Sequence, residues 1–239
     1  LEKAITDRTK AIIFSSPCNP SGAVFSEQEL KAIAEVVQKH ENIMVIADEI
    51  YEYINFTGEH ISIGAFPGMF ERTVTVNGFS KGFAMTGWRV GYICAPEWLV
   101  KAVGKLQGQT TSGICSIAQR AAIAAVEGNM QPTKDMAEAY KRRRQLVLDL
   151  LAAIPGVKAN EPEGAFYVFP DMSEFFGRSD GKATINDANE LALYILGRAH
   201  VSTVSGAAFG APNCIRISYA ASDENLKTAP VSYTHLTLP

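Results

Sequence analysis

The chain has 239 residues, 47% of them hydrophobic and 20% charged, which is an ordinary composition for a globular protein. Its net charge of −3 excludes a strongly basic surface, so we expect neither nucleic acid nor an anionic membrane as a partner. The strongest basic run, residues 141–144, lies in a helical pattern and is predicted to be a solvated helix face. No apolar run is long enough to span a membrane and no signal peptide is visible, so we expect a cytoplasmic location.

The cysteines and histidines give no sign of a metal site. Cys18, Cys94, Cys115 and Cys214 are far apart and contain no C-x-x-C pair, which indicates reduced thiols. The four histidines are scattered along the chain, so no zinc or other metal is predicted.

The first half of the chain alternates strand and helix patterns. Ser26 and Glu29 form a capping box that opens a helix, and the apolar residues that follow recur on one face. Apolar runs at residues 11–14 and 43–47 flank this helix, which predicts a βαβ unit with parallel strands. Two further strands and then two helices are expected at residues 73–76, 90–94, 97–106 and 117–127, with Gly128 ending the last helix.

The pattern changes in the second half. Pro132 opens a long predicted helix that ends at Pro155 and Gly156. Beyond this helix, strands are expected at residues 165–169, 201–204 and 214–219, with a helix at 187–198. A last helix begins at Asp223 and is predicted to break at Pro230.

These elements predict an α/β protein with two domains. Residues 1–128 are expected to form part of a large domain with a mostly parallel sheet, and residues 129–155 a long interdomain helix. Residues 156–229 are expected to form a small C-terminal α+β domain. Residues 230–239 have no clean period and are more similar to translated adapter sequence than to a protein terminus, so we predict a non-native tail.

Lys81 follows the β-branched run at residues 73–76, so it lies where a strand is predicted to end. Ligands of open α/β sheets collect outside the carboxyl ends of strands. Gly78 and Gly82 let the backbone approach a bulky ligand, and Arg89 is a fixed cation suited to phosphate. A lysine nucleophile beside a phosphate-binding arginine is what a pyridoxal phosphate enzyme needs. An ordinary surface lysine is the plainer alternative.

Two further candidates follow the second predicted strand. Asp48 ends an apolar run, where a carboxylate needs a cationic partner such as a protonated pyridine nitrogen, although capping the next turn is the alternative. Tyr51 would face the same ligand if the chain became helical after Asp48, and its phenol would then donate to a ring oxygen. A tyrosine half-buried at a domain seam is the other interpretation.

Asn19 and Arg216 come from distant parts of the chain. The amide of Asn19 would donate to the same ring oxygen and contact the substrate, whereas an ordinary Asn-Pro turn is the alternative. Arg216 lies in an alternating strand, and its planar fork matches the carboxylate of an amino acid. An exposed arginine on the polar face of a strand is the commoner case.

Four motifs together resemble the fold-type I, pyridoxal-phosphate-dependent class I/II aminotransferases, and within them the aspartate aminotransferase-like subgroup. They are Asn-Pro-Ser-Gly at 19–22, Asp-Glu-Ile-Tyr at 48–51, the run from Ser-Lys to Val-Gly-Tyr at 80–92, and Arg216 before Ser-Tyr-Ala at 218–220. The resemblance covers about residues 1–229 and implies the aspartate aminotransferase fold. It also implies pyridoxal 5'-phosphate as cofactor, and amino acid and 2-oxo acid substrates.

The resemblance implies roles for the residues around the cofactor ring. Lys81 would form a Schiff base and then move the substrate's α-proton as general base and acid. Asp48 would hold the pyridine nitrogen, and Tyr51 and Asn19 the ring hydroxyl.

Phosphate and substrate recognition are implied in the same way. Arg89 would hold the phosphate with Ser80 as helper, and Arg216 would bind the substrate carboxylate together with Asn19. Residues 164–167 are similar to the family's small-domain segment that approaches the substrate. Gly78 stands where some relatives carry a phosphate-binding serine, so other donors would be needed.

The resemblance also indicates a fragment that lacks the N-terminal portion of the family. That portion would supply a phosphate loop, an aromatic residue on the ring and much of a homodimer contact, so the chain alone is expected to be inert. For the whole protein we expect an aminotransferase of amino acid biosynthesis with ping-pong kinetics and an aspartate-like substrate. The alternatives are another fold-type I enzyme, such as a lyase or synthase, and a non-catalytic sensor domain of a transcription regulator.

Overall fold

The computed structural model describes residues 1–234, which form two compact units. The first unit contains Leu1–Cys18 and Ala23–Ala137, and the second contains Asn19–Gly22 and the chain from Glu138 onward. Asn19–Gly22 therefore belong to the second unit although their neighbours on both sides belong to the first. The predicted domain limits at residues 128, 155 and 229 stay a prediction.

The first unit is built on a four-stranded sheet with the strand order β1-β2-β3-β4. The strands are β1 Ala11–Ser15, β2 Met44–Asp48, β3 Thr73–Gly78 and β4 Gly91–Cys94. β1 and β2 pair in parallel, as do β2 and β3, whereas β4 pairs with β3 in the antiparallel direction. This confirms the predicted α/β class with a mostly parallel sheet.

The helices of the first unit are α1 Glu27–Gln38, α2 Glu97–Thr110, α3 Ser116–Glu127 and the first part of α4 Gln131–Ala152. The predicted capping box is present, because Ser26 Oγ accepts the Glu29 amide N–H and the Glu29 carboxylate accepts the Ser26 N–H at 2.8 Å. Leu30, Ala34 and Val37 are the buried residues of α1, and they form one core cluster with β2 side chains. The helical period in the sequence thus selected the correct face.

The second unit contains a three-stranded antiparallel sheet with the order β5-β7-β6. The strands are β5 Tyr167–Val168, β6 Val204–Ser205 and β7 Ile215–Ser218, and the helices are the rest of α4, α5 Ala188–Ala199 and α6 Asp223–Thr234. Asp187 caps α5 by accepting the N–H groups of Asn189 and Glu190. Two apolar clusters pack around this sheet, one centred on Leu191 and Ile195 of α5.

Short 3-10 turns connect these elements. They cover Glu2–Ala4, Ile63–Ala65, Phe70–Arg72, Thr86–Trp88, Ser173–Phe175 and Gly206–Phe209. Within residues 1–234, no helix combines the length and the apolar character that crossing a bilayer requires. Cys18, Cys94, Cys115 and Cys214 carry free thiols in this structure.

Three element predictions differ from the structure. β6 covers Val204–Ser205 and shares only Val204 with the strand expected at residues 201–204. β5 has two residues rather than five, because Ala165 takes a left-handed φ of 58° that no strand contains. The predicted break at Pro230 is wrong, since α6 continues to Thr234. A proline inside a helix removes one backbone donor and crowds the preceding turn, but α6 continues past Pro230 all the same. Residues 235–239 of the predicted non-native tail lie outside the described residues.

Candidate active site

Lys81 lies in a tight turn directly after β3. The turn is closed by the Ala84 N–H, which donates to the Lys81 carbonyl at 3.1 Å, and by the Met85 N–H, which donates to the Phe79 carbonyl at 3.1 Å. Gly82 is buried against Tyr53, and a Cβ at Gly82 would lie 2.6 Å from the Tyr53 ring. Only a glycine at this position lets the turn pack so closely beside the lysine.

The amine of Lys81 faces residues that follow the neighbouring strand. Its Nζ lies 5.8 Å from the centre of the Tyr51 ring, and Tyr51 is almost fully buried. Asp48 is the last residue of β2, and its Oδ1 accepts the Ile50 N–H at 3.1 Å. Because β2 and β3 run in parallel, Asp48 and Lys81 both follow the carboxyl ends of adjacent strands.

The chain after Asp48 forms consecutive turns and not the helix that would have placed Tyr51 by helical spacing. The Glu52 N–H donates to the Glu49 carbonyl at 2.9 Å, and the Ile54 N–H to the Tyr51 carbonyl at 2.8 Å. These turns leave the Tyr51 ring 5.8 Å from Lys81 Nζ, and the expectation that Tyr51 and Asp48 face one ligand stays a prediction.

Ser80 and Arg89 are connected through Thr86. Thr86 Oγ1 donates to the Ser80 carbonyl at 2.8 Å, and Arg89 Nη1 donates to the Thr86 carbonyl at 3.0 Å. Arg89 is exposed and has a left-handed φ of 54°, a conformation that costs a non-glycine residue about 1 kcal/mol or more. Trp88 and Arg89 line an open groove with Cys115 at the start of α3. Such strain often marks a ligand-binding loop.

Three side chains beside the lysine turn have altered acidity. Burial raises the pKa of the Glu52 carboxyl. Burial, together with the neighbouring Glu52, raises the pKa of Tyr53 to about 12. The pKa of Tyr92 is raised by burial and by Glu52 and Glu49. Titratable groups with shifted pKa values thus cluster beside the lysine turn, which is typical of sites that bind a polar ligand.

In the second unit, Asn19 and Arg216 contact each other although they are 197 positions apart. Arg216 Nη1 donates to Asn19 Oδ1 at 2.8 Å. The guanidinium carbon lies 4.6 Å from the centre of the Tyr167 ring and 5.2 Å from that of Phe209. The hydrogen bond and the two rings fix the plane of the guanidinium, which favours two-point binding of a carboxylate.

Gly22 fixes the segment that carries Asn19. Its φ is 70°, and a Cβ there would lie 2.5 Å from the Pro162 Cβ and 2.8 Å from the Gly164 carbonyl oxygen. The Gly22 carbonyl accepts the N–H groups of Glu163 and Gly164 at 2.8 and 2.9 Å. The close approach that a glycine allows thus ties residues 19–22 to the second unit.

Sequence reasoning missed the side chains that support the predicted residues. Around Arg216 this is the ring of Phe209, whereas Tyr167 lies in the segment 164–167 that was expected to approach the substrate. Beside Asp48 they are Glu49 and His60, whose polar atoms, with those of Glu52, lie within 4.8 Å of one another. A charged residue next to a buried apolar strand was the one available signal for Glu49.

The predicted residues divide between the two units. Asp48, Tyr51, Ser80, Lys81 and Arg89 lie in the first unit, and Asn19 and Arg216 lie in the second. The expectation that all of them surround one ring stays a prediction. Within the first group the amine, the carboxylate, the phenol and the guanidinium are the donor types that fit pyridoxal phosphate.

Known proteins share this sequence and fold. Residues 1–230 match the family described as aminotransferase class I and II. A bifunctional aspartate aminotransferase and glutamate/aspartate-prephenate aminotransferase from Petunia hybrida is 45% identical over 96% of this chain and 49% of its own length. The crystal structure of the aspartate aminotransferase from Rhizobium meliloti has a TM-score of 0.92 at 39% identity, covering 97% of this chain and 58% of that one.

An aromatic aminotransferase structure from Pyrococcus horikoshii has a TM-score of 0.90 at 38% identity, covering 98% of this chain and 61% of that one. The chain thus spans about half to three-fifths of the length of these proteins. The TM-scores confirm the aspartate aminotransferase fold that the four motifs predicted.

Proposed function

Because the chain belongs to the class I and II aminotransferase family, which uses pyridoxal 5'-phosphate, we propose that the protein transfers an amino group from an L-amino acid to a 2-oxo acid. The observation that carries this proposal is the Lys81 amine, held 5.8 Å from the Tyr51 ring at the strand edge that also presents Asp48. Lys81 is the proposed catalytic residue.

Five residues of the first unit fit the cofactor by their chemistry. We assign Asp48 to the pyridine nitrogen and Tyr51 to the ring hydroxyl, while Ser80 and Arg89 serve the phosphate. The Asp48 carboxylate accepts the Ile50 N–H and can accept further hydrogen bonds, as the pyridine nitrogen requires. Arg89 is exposed in a groove, where a phosphate can reach it. When bound, pyridoxal phosphate supplies an electron sink for charge that develops at the substrate's α-carbon.

The chain's own residues then move and hold protons. The amine of Lys81 would take the proton from the substrate's α-carbon as general base, and the resulting ammonium would give the proton back as general acid. The Asp48 carboxylate holds a proton at the ring nitrogen by charge pairing. Burial of Tyr51 excludes water from one side of the lysine amine. The two half-reactions run in sequence, which gives ping-pong kinetics.

The second unit is proposed to recognise the substrate. Arg216 offers a planar fork for the α-carboxylate, and the Asn19 amide assists through its NH2 group, since its Oδ1 already accepts from Arg216. Aspartate is the proposed amino donor because the Petunia and Rhizobium relatives carry aspartate in their names. The Pyrococcus neighbour is named for aromatic substrates, so an aromatic amino acid is the second candidate.

For the whole protein we propose a homodimer that acts in amino acid biosynthesis in the cytoplasm. The support is the family resemblance of the chain. A lyase or synthase on the same fold, and a regulator's sensor domain, are not favoured, because the relatives named above are aminotransferases.

The test uses protein expressed from the complete gene, loaded with pyridoxal phosphate. Borohydride reduction and peptide mapping should place the cofactor's mass on Lys81. Product analysis with aspartate and 2-oxoglutarate should then give oxaloacetate and glutamate, and phenylalanine should react more slowly. Cofactor attached to another lysine, or release of a lyase product from aspartate, would contradict the proposal.

A further inference from the structure

Glu49 is a buried carboxylate directly after Asp48, and the proposed reaction does not use it. The residue is 4% exposed. Its Oε1 accepts the Ser62 hydroxyl at 2.6 Å, and its Oε2 lies 3.0 Å from His60 Nε2. The His60 contact is close, but its angle is too oblique for a hydrogen bond. A carboxylate this deeply buried is stable only with such partners.

The partners of Glu49 come from a segment that is anchored in the core. Ser62 precedes the short turn Ile63–Ala65, and Ile63 is 1% exposed inside the cluster formed by α1 and β2. The backbone of Glu49 is held as well, because its N–H donates to the Val76 carbonyl of β3 at 2.9 Å. Glu49 therefore connects the end of β2 to β3 through its backbone and to the core through its side chain.

The residues on either side of Glu49 are the proposed cofactor ligands. Asp48 precedes it, and Tyr51 lies in the turn that the Glu49 carbonyl closes by accepting the Glu52 N–H at 2.9 Å. A shift of Glu49 would thus move the Asp48 carboxylate and the Tyr51 ring together. Small displacements of positioned groups are costly for catalysis.

Other titratable groups face this carboxylate. Glu52 and His60 lie within 4.8 Å of it, and Tyr92 of β4 senses its charge. Burial, and to a lesser degree the Glu49 charge, raises the pKa of Glu52.

We propose that Glu49, held by His60 and Ser62, is a positioning residue that sets where Asp48 meets the cofactor's ring nitrogen. This inference rests on the proposed function. In this role, the Glu49 carboxylate holds the turn at residues 49–52 in one conformation. Outer partners of this kind typically change affinity or activity 10- to 100-fold when they are lost.

The test compares Glu49→Gln with Arg72→Ala in pyridoxal-phosphate-loaded protein expressed from the complete gene. Gln keeps the shape and the acceptor for Ser62 but replaces the carboxylate beside His60 with a neutral amide. Arg72 is the matched control, because its half-buried Nη1 donates to the Val37 and His40 carbonyls beside the start of β3 and not beside Asp48. Three readouts are taken for each variant: cofactor Kd, the pH midpoint of the bound cofactor's absorbance, and the Tm of the cofactor-free protein.

Glu49→Gln should weaken cofactor binding about 10-fold and displace the pH midpoint of the absorbance, because a misplaced Asp48 holds the ring proton less well. Arg72→Ala should lower the Tm at least as much and leave the midpoint unchanged. His60→Gln should reproduce the midpoint displacement, and the double variant should add little to it, since the two residues act as a pair.

Each outcome decides between two readings. If the wild-type protein binds no cofactor, the proposed function fails, and the positioning role fails with it. If the wild-type protein binds the cofactor and Glu49→Gln keeps both its Kd and its midpoint, the positioning role alone is overturned. Should Glu49→Gln not fold, Ser62→Ala and His60→Gln decide the question by the same two readouts.

Discussion

Arg216 and Arg89 are both proposed to bind anions, but the chain holds the two guanidinium groups differently. Arg216 is half-buried, donates to Asn19 from a distant part of the sequence, and lies near two aromatic rings. Arg89 is exposed and donates to the Thr86 carbonyl of its own loop. One cation is positioned by tertiary contacts, whereas the other is positioned by the backbone of a short turn.

This difference indicates which of the two guanidinium groups is already ordered before its ligand binds. A guanidinium that is already fixed loses little freedom on binding, so Arg216 is arranged for a small carboxylate that must bind and leave in every turnover. An exposed guanidinium in a strained loop gains order from its ligand, which suits a phosphate that stays bound. The first unit is therefore expected to control the chemistry and the second to control substrate affinity.

The largest expected effect comes from removing the lysine. Lys81→Ala should lower kcat by at least about 1,000-fold, because both covalent attachment and proton transfer are lost. Steady-state assays with aspartate and 2-oxoglutarate measure the loss, and Lys101→Ala on the exposed face of α2 is the control. Normal ping-pong turnover in Lys81→Ala would show that Lys81 of the first unit is not the catalytic residue.

The second largest effect should separate substrate affinity from turnover. Arg216→Lys keeps the charge but loses the fork and the ring contacts, so KM for the amino acid should rise about 10- to 100-fold while kcat changes less. Arg178→Lys is the matched control, because Arg178 also lies over a ring, 5.0 Å from Phe175. A loss confined to kcat would contradict the expectation that the second unit controls substrate affinity.

Substitution of Gly22 and of Gly82 by alanine should each disturb one of the two units. Gly22→Ala forces a methyl group against Pro162 at a positive φ, and Gly82→Ala forces one against Tyr53, so each should cost about 1–3 kcal/mol of unfolding free energy. Gly22→Ala should mainly raise KM, and Gly82→Ala should mainly weaken cofactor binding.

Urea unfolding and the kinetic assay measure the two effects of each glycine variant. Gly108→Ala in α2 is the control, because its methyl group would meet open space and alanine favours a helix. Identical kinetic changes in Gly22→Ala and Gly82→Ala would show that the two regions do not act separately.

The smallest effect is a pH dependence of stability at the lysine turn. The raised pKa of Tyr53, about 12 against an ordinary 10, means that the unfolded chain ionises first as the pH rises. This contribution to stability is complete below pH 10 and is lost between pH 10 and about 12. Tyr53→Phe should therefore lose less unfolding free energy than wild type from pH 9 to pH 11, measured by urea titration. Equal losses in both proteins would show that Tyr53 does not contribute.

The sequence predicted those features that depend on local order. The capping box at Ser26, the buried face of α1 and the position of Lys81 after β3 all follow from short-range patterns, and the structure has each of them. The end of α6 was wrong, because a proline's effect on a helix depends on its surroundings and not on the local pattern alone.

Features that depend on side-chain contacts between distant positions could not be predicted. The bond from Arg216 to Asn19, the ring of Phe209 and the pairing of Glu49 with His60 have no periodic signal. The four motifs indicated which residues matter, but not which neighbours hold them. Those neighbours are set by packing, which a single sequence does not encode as a pattern.

The excursion of Asn19–Gly22 into the second unit has a consequence for anyone who dissects this protein. No single cut in the chain releases both units intact, because a piece starting at Glu138 lacks the carbonyl of Gly22 and the amide of Asn19. In such a piece, Arg216 would lack its hydrogen bond to Asn19. A separately added peptide spanning residues 19–22, or the same residues fused to the piece through a linker, would be required to restore it.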